Sequence, residues 1–170
     1  MKILLSFLLV SFLFVGCWPS SVSFMDKGSM PEEWETFAVI TLENNAPNTP
    51  LSYAVTLSEA VKDGVQNNTR LLLNTNSGEA EVVIEGVISS YSISPIALQE
   101  GDDASQNRLT VSAKFDIFIN KPEEDQMQLT STRFFDYDSN EDLGTVETQY
   151  LEEVSAQIVQ DVVNKLLSNW

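Results

Sequence analysis

The sequence predicts an α+β fold: a two-layer sandwich with two helices packed on one mainly antiparallel sheet of four to five strands, in the order β-α-β-β-β-β-α. Three observations carry this reading. Residues 81–137 contain three long stretches in which apolar and polar side chains alternate with a period of two. Two further stretches, within 51–65 and 146–167, repeat apolar residues at helical spacing. Turn-forming runs separate these segments from one another.

Residues 36–42, TFAVITL, are apolar on both faces, as suits a buried central strand. The turn-forming run ENNAPN follows. Thr49 then offers an N-cap, with Pro50 at the first helical position. Leu51, Ala54, Val55, Ser58, Val61 and Val65 form one stripe, so a helix is predicted to about Asn67. Gly64 near its end costs about 1 kcal/mol against alanine. Residues 70–74, RLLLN, read as a strand, and strand-helix-strand implies a right-handed crossover between parallel strands.

Residues 81–93, EVVIEGVISSYSI, form a long strand, with Val83, Glu85, Val87, Ser89, Tyr91 and Ile93 on one face and Val82, Ile84, Gly86, Ile88, Ser90 and Ser92 on the other. Pro95 ends it, and a polar loop occupies 99–106 as a tip at one end of the sheet. In the next strand, 108–120, Leu109, Val111, Ala113, Phe115, Ile117 and Ile119 point one way. KPEED turns the chain into a strand over 127–137. The last element begins near Thr145. Val146, Tyr150, Val154, Ile158, Val162 and Leu166 lie four apart, widened by Leu151, Val163 and Leu167, so a helix runs to Asn169 and Trp170. Both helices fit on one face of the sheet, which leaves the other for water or a partner.

The N-terminal residues have a different logic. Lys2 precedes an apolar run, 3–15, that contains only two serines, as in a secretory signal. Thirteen residues are too few to span a bilayer, which takes about 20. Cys17 is the only cysteine and the chain has no histidine, so a disulfide within the chain, a soft-metal site and a Cys-His nucleophile all lack their second member. Phe14-Val15-Gly16-Cys17 resembles a bacterial lipobox, with Phe14 where leucine is usual. Residues 1–16 are then a lipoprotein signal peptide and 17–34 a lipidated N-terminus and linker. Residues 35–170 form a single domain. Several acyl chains on one residue make a stable tether, at about 0.8 kcal/mol per buried methylene.

Cleavage before Cys17 leaves 154 residues with 8 basic and 25 acidic side chains, a charge of −17. Such a surface repels nucleic acid and anionic headgroups. No nucleophile-base spacing points to catalysis, so the protein reads as a non-enzyme without cofactors.

Several residues invite a functional reading beside a plain structural one. Asp136, Asp138, Asn140 and Glu147 match positions 1, 3, 5 and 12 of a calcium-binding loop, but Glu141 stands where glycine is required. The plain reading is a strand end and an acidic first helical turn. Arg108 and Arg133 would make a basic spot for a phosphate if they shared a face; otherwise they pair with Asp136, Asp116 or Glu85. Phe118 and Phe134 fall on faces opposite their apolar neighbours, which marks them for partner contact. Tyr91 either meets a partner or packs in the core, and Pro95 belongs to the tip.

SYSISPIALQ at 90–99, SQNRLTV at 105–111, TRFFDYDS at 132–139 and NKLLSNW at 164–170 resemble the LptE family of lipopolysaccharide-assembly lipoproteins, in the form found in Bacteroidetes. FAVITLENNAP at 37–47 and the LSEAVKD helix also fit. The resemblance covers nearly the whole chain after Cys17. It implies an outer-membrane lipoprotein on the periplasmic side, without enzymatic activity. It further implies a plug and assembly partner of the LptD-type β-barrel, with lipopolysaccharide as a second contact. The acidic charge departs from relatives proposed to bind lipopolysaccharide through basic residues. The alternative is a stand-alone periplasmic lipid carrier or chaperone lipoprotein, which requires an acyl-sized pocket.

Overall fold

The computed structural model describes residues 30–96 and 106–168. The signal peptide, Cys17, most of the linker, the loop tip and Asn169–Trp170 lie outside the described residues. The elements are β1 (Thr36–Val39), β2 (Glu43–Asn44), α1 (Tyr53–Asn68), β3 (Leu72–Leu73), β4 (Val82–Ile96), β5 (Gln106–Ile119), β6 (Asp125–Asp138) and α2 (Leu143–Leu167). They form one sheet in the order β3-β1-β4-β5-β6, with β2 also pairing β4.

The α+β sandwich is therefore as predicted, but the sheet is mixed. β1 lies parallel to both β3 and β4, and β2 lies parallel to β4. The antiparallel part is the meander of three long strands. β1 and β3 are parallel neighbours joined through α1, as strand-helix-strand implies. The predicted strands at 36–42 and 70–74 are shorter than expected. Leu72 and Leu73 are exposed, while Leu71 is buried.

β2 went unforeseen, because ENN reads as a turn. The chain from Thr36 to Asn45 tracks one border of β4, donating from Ile40 N to Ile84 O and from Asn45 N to Ile88 O. Between these points it swings inward, and Leu42 N donates to the buried Ser58 Oγ at 2.9 Å. Gly86 opposite makes room: a Cβ there would lie 2.8 Å from Phe115 and 3.1 Å from Leu42.

β5 matches its prediction fully, with Leu109, Val111, Ala113, Phe115, Ile117 and Ile119 all buried. β4 does not keep one alternation. Its register slips between Ile88 and Ser90, leaving Ser89 as a bulge. Ile84 and Ile88 face the helices before the bulge, and Tyr91 faces them after it. Pro95 does not end the strand; it pairs with Asn107 and the strand runs to Ile96. Among the described residues no strand occupies the other border of β4 beyond Ile88, so the missing N–H of Pro95 breaks no described bond.

Helix α1 begins later than Thr49-Pro50 implies. Leu51 and Val55 are exposed, and Tyr53 and Leu57 take the inward places beside Ala54, Ser58, Val61 and Val65. Helix α2 starts at Asp142, whose carboxylate caps Gly144 N at 3.2 Å. Its inward stripe is Tyr150, Leu151, Val154, Ser155, Ile158, Val162, Val163 and Leu166. The two helices meet at Gly64, where a Cβ would lie 2.0 Å from Val159 Cγ1. Tyr53 Oη and Ser155 Oγ join them by a buried hydrogen bond of 3.0 Å, and burial pushes the Tyr53 phenol up to about 12.

Met30 and Trp34 are buried, so the folded part begins within the stretch expected to be linker. The Arg70 guanidinium holds this entry by donating to Met30 O at 3.3 Å and to Pro31 O. At the same end Glu81 accepts from Thr36 N at 2.8 Å, from Thr36 Oγ1 and from Lys121 Nζ at 3.2 Å. The Thr36 hydroxyl is the main cause of a carboxyl lowered from 4.5 to about 2.

Two outcomes follow. Gly64→Leu should cost about 1–3 kcal/mol by forcing the helices apart, and Val159→Ala in the same chain should restore part of it. Denaturant titration of wild type and the two variants measures both effects. Glu81 is ionised more readily folded than unfolded, so its stabilisation is full above about 4.5 and fades as pH falls toward 2. Glu81→Gln should therefore melt below wild type at pH 7, with the gap closing across that window.

Candidate partner-facing surface

The helices cover one face of the sheet. The opposite face follows from the register, because residues paired across strands point the same way. It carries Ser90, Ser112 and Thr132 in one row, Ser92, Thr110 and Phe134 in the next, and Ser94, Arg108 and Asp136 in a third. Ser112 and Thr132 hydroxyls lie 2.9 Å apart. Toward the other end the face carries Glu85 opposite Asp116, and Asp116 accepts from Gln126 at 2.8 Å and Gln128 at 2.9 Å.

Among the described residues two cations lie on this face, the exposed Lys114, paired between Val87 and Thr130, and Arg108. Arg108 donates to both oxygens of Asp136, at 2.7 and 2.8 Å, and lies 3.8 Å from the centre of the Phe134 ring. The bidentate contact holds the Asp136 carboxyl below its ordinary value and raises the guanidinium. Phe134 remains 47% exposed, an exposed aromatic held still by a stacked cation. Phe118 shares the face at its far end, half-buried against Ala38, Ala80 and Val83.

Arg133 points the other way. It donates to Asp161 of α2 from Nε at 2.8 Å and from Nη2, and Ser131 Oγ donates to the same carboxylate at 2.6 Å. The condition for a shared basic spot, that Arg108 and Arg133 lie on one face, is not met. Each arginine is matched by its own aspartate, and the predicted Arg108–Asp136 pair forms.

Tyr91 is likewise on the helix side, buried, with its hydroxyl donating to Glu147 Oε1. Burial raises its phenol first, and the Glu147 bond adds to the shift. Tyr150 stacks on Phe135 at 4.4 Å, lies 5.3 Å from Tyr137, and donates to Glu141. These rings fix the first turns of α2 onto the sheet.

The calcium pattern does not assemble. Asp136 is held by Arg108, Asp138 accepts from Asn140, and Glu147 accepts from Tyr91. A strand end and a helix turn carry these residues in different directions. Among the described residues no group of three acidic or other metal-ligating side chains is close enough to hold an ion.

Nor do the described hollows resemble an acyl-chain pocket. The largest, about 450 Å³, is rimmed by Glu123, Glu124 and Asp125 over Trp34, Ile119 and two prolines. The hollows on the open face, about 240 and 310 Å³, are both lined by Glu85.

The lipopolysaccharide-assembly family LptE matches residues 34–166. The chain belongs to the LptE family. No curated protein matches it in sequence. Among solved structures, a protein described as a neuraminyllactose-binding hemagglutinin homologue from Helicobacter pylori is 8% identical, with a TM-score of 0.52, covering 89% of this chain and 90% of that one. A minor lipoprotein from Acinetobacter baumannii is 13% identical at TM-score 0.48, over 80% and 94% of the two chains. Lipoprotein B from Nitrosomonas europaea is 16% identical at 0.47, over 82% and 84%. At these identities the likeness concerns the fold alone. LptE proteins are non-enzymatic lipoproteins that act with the lipopolysaccharide transport machinery, and this chain shares that role in lipopolysaccharide assembly.

The two arginines should separate in a thermal melt. Asp136→Asn and Phe134→Ala touch an exposed cluster and should move the melting temperature by less than about 2 °C. Arg133→Ala leaves Asp161 beneath the sheet without its guanidinium and should lower it by about 3 °C or more.

Proposed function

We propose that this LptE protein is tethered through acylated Cys17 to the periplasmic side of the outer membrane. There it serves as plug and assembly partner of an LptD-type β-barrel during delivery of lipopolysaccharide to the outer leaflet. The observation that supports this most is the open sheet face. It is broad, polar and rich in hydroxyls, and no described segment covers it. The lumen of a large outer-membrane barrel is polar, so a plug needs a wet, shaped surface rather than an apolar one. Phe134 and Phe118 supply the aromatic contacts, and Arg108 supplies a directed cation. The acidic charge favours the protein partner over lipopolysaccharide phosphates as the main contact of this face.

Two measurements test the reading. The tagged full-length protein, recovered from detergent-solubilised outer membrane, should bring down a large β-barrel protein in near-equal amount; recovery alone would contradict the proposal. Cys17→Ala should move the protein from the membrane to the periplasmic fraction, and continued membrane retention would contradict the tether.

A further inference from the structure

Among the described residues, strand β6 forms one border of the sheet and pairs only with β5. Its free side can be assigned residue by residue. Asn120 N donates to Glu81 O, on the β4 side. Even-numbered residues of β5 therefore turn their backbone groups toward β4, and Ser112 O, which accepts from Ser89 Oγ, agrees. Odd-numbered residues of β5 then bond to odd-numbered residues of β6, through pairs such as Phe115–Leu129 and Ile117–Met127. Even-numbered residues of β6 face outward.

Both ends of this border are closed by the chain itself. Gln126 N is taken by the Asp125 carboxylate at 2.8 Å. Asp138 O accepts from Glu141 N at 3.0 Å. Between them Gln128, Thr130, Thr132, Phe134 and Asp136 present their amides and carbonyls outward, with no strand beside them among the described residues. Neither proline nor lysine, two common blocks to a sheet edge, interrupts this border. Arg133 is folded under the sheet onto Asp161. Carboxylates flank the border, with Glu123, Glu124 and Asp125 at one end and Asp138, Glu141 and Asp142 at the other. A net charge of −16 on each copy opposes edge-to-edge pairing of two such chains.

We infer that the border of β6 from Gln128 to Asp136 accepts a strand, by main-chain hydrogen bonding, from an extended basic segment of the barrel partner. The identity of the donor rests on the function proposed above; the vacancy of the edge does not. Main-chain pairing would supply affinity, and the flanking carboxylates would select a donor with lysine or arginine near its ends.

Proline substitution tests it, because parity predicts opposite effects at neighbouring positions. Thr130→Pro removes an outward N–H and should leave the isolated full-length chain folded, yet reduce barrel recovery at least tenfold. Leu129→Pro breaks a bond to β5 and should lower the melting temperature strongly. A folded Thr130→Pro chain that recovers the barrel as well as wild type overturns the inference. If Thr130→Pro fails to fold, hydrogen exchange on wild type decides. Amides of Thr130 and Thr132 should exchange fast in the free chain and become protected in the barrel complex. Unchanged exchange overturns the inference, and so does protection in the concentrated chain alone, which would assign the edge to a second copy. A wild-type chain that recovers no barrel instead sinks the plug function and the donor with it.

Discussion

The alternation of β5 decides the architecture. Six apolar side chains at every second position, Leu109 to Ile119, must leave water together, and only one face of the sheet can take them. β5 lies between two strands of similar length, so its choice of face binds both neighbours. Ile117 sits between Ile84 and Met127, and Val111 between Tyr91 and Arg133. Two amphipathic helices then have one place to go. A shift of one residue in either pairing would expose the core of that strand, which is why the register holds over fourteen residues of β6.

What the sequence made legible was whatever repeats over a long stretch. β5 and α2 show the buried faces their sequences predict, because each carries its period through many residues. Local exceptions stayed hidden. Nothing in Ser89-Ser90 distinguishes a bulge from ordinary alternation, since serine suits either face, and so Tyr91 was assigned to the wrong set of neighbours. Thr49-Pro50 is a good helix start, yet the stripe that packs is set by Tyr53 and Leu57, whose partners on β1 and α2 are distant in sequence. β2 depends on the room left by Gly86, a three-dimensional fact that two residues of strand cannot announce.

The surface was legible by elimination. Phe118 and Phe134 stand out because they break the apolar set of their own strands, and both do lie on the uncovered face. The arginines were ambiguous for a physical reason. Each has several carboxylates within reach of a long side chain; the strand register brings Arg108 to Asp136, and the packing of α2 under the sheet brings Asp161 to Arg133. The hydroxyl rows of Ser90, Ser112 and Thr132 and their neighbours were not singled out. Small hydroxyls opposite a buried face are what any solvated sheet displays, and their number counts only once the face is known to be broad and bare.

The central claim is that this face is uncovered in the isolated chain and covered in the membrane. Thiol labelling measures it directly. With Cys17 acylated as proposed, Thr132→Cys adds one reactive thiol on the open face, and Glu152→Cys adds one on an exposed part of α2 as a reference. Thr132→Cys should react with a bulky maleimide as fast as the reference in the purified chain, and at least tenfold more slowly than in the purified chain when labelled in intact outer membranes. Equal labelling of Thr132→Cys in both settings would contradict the account.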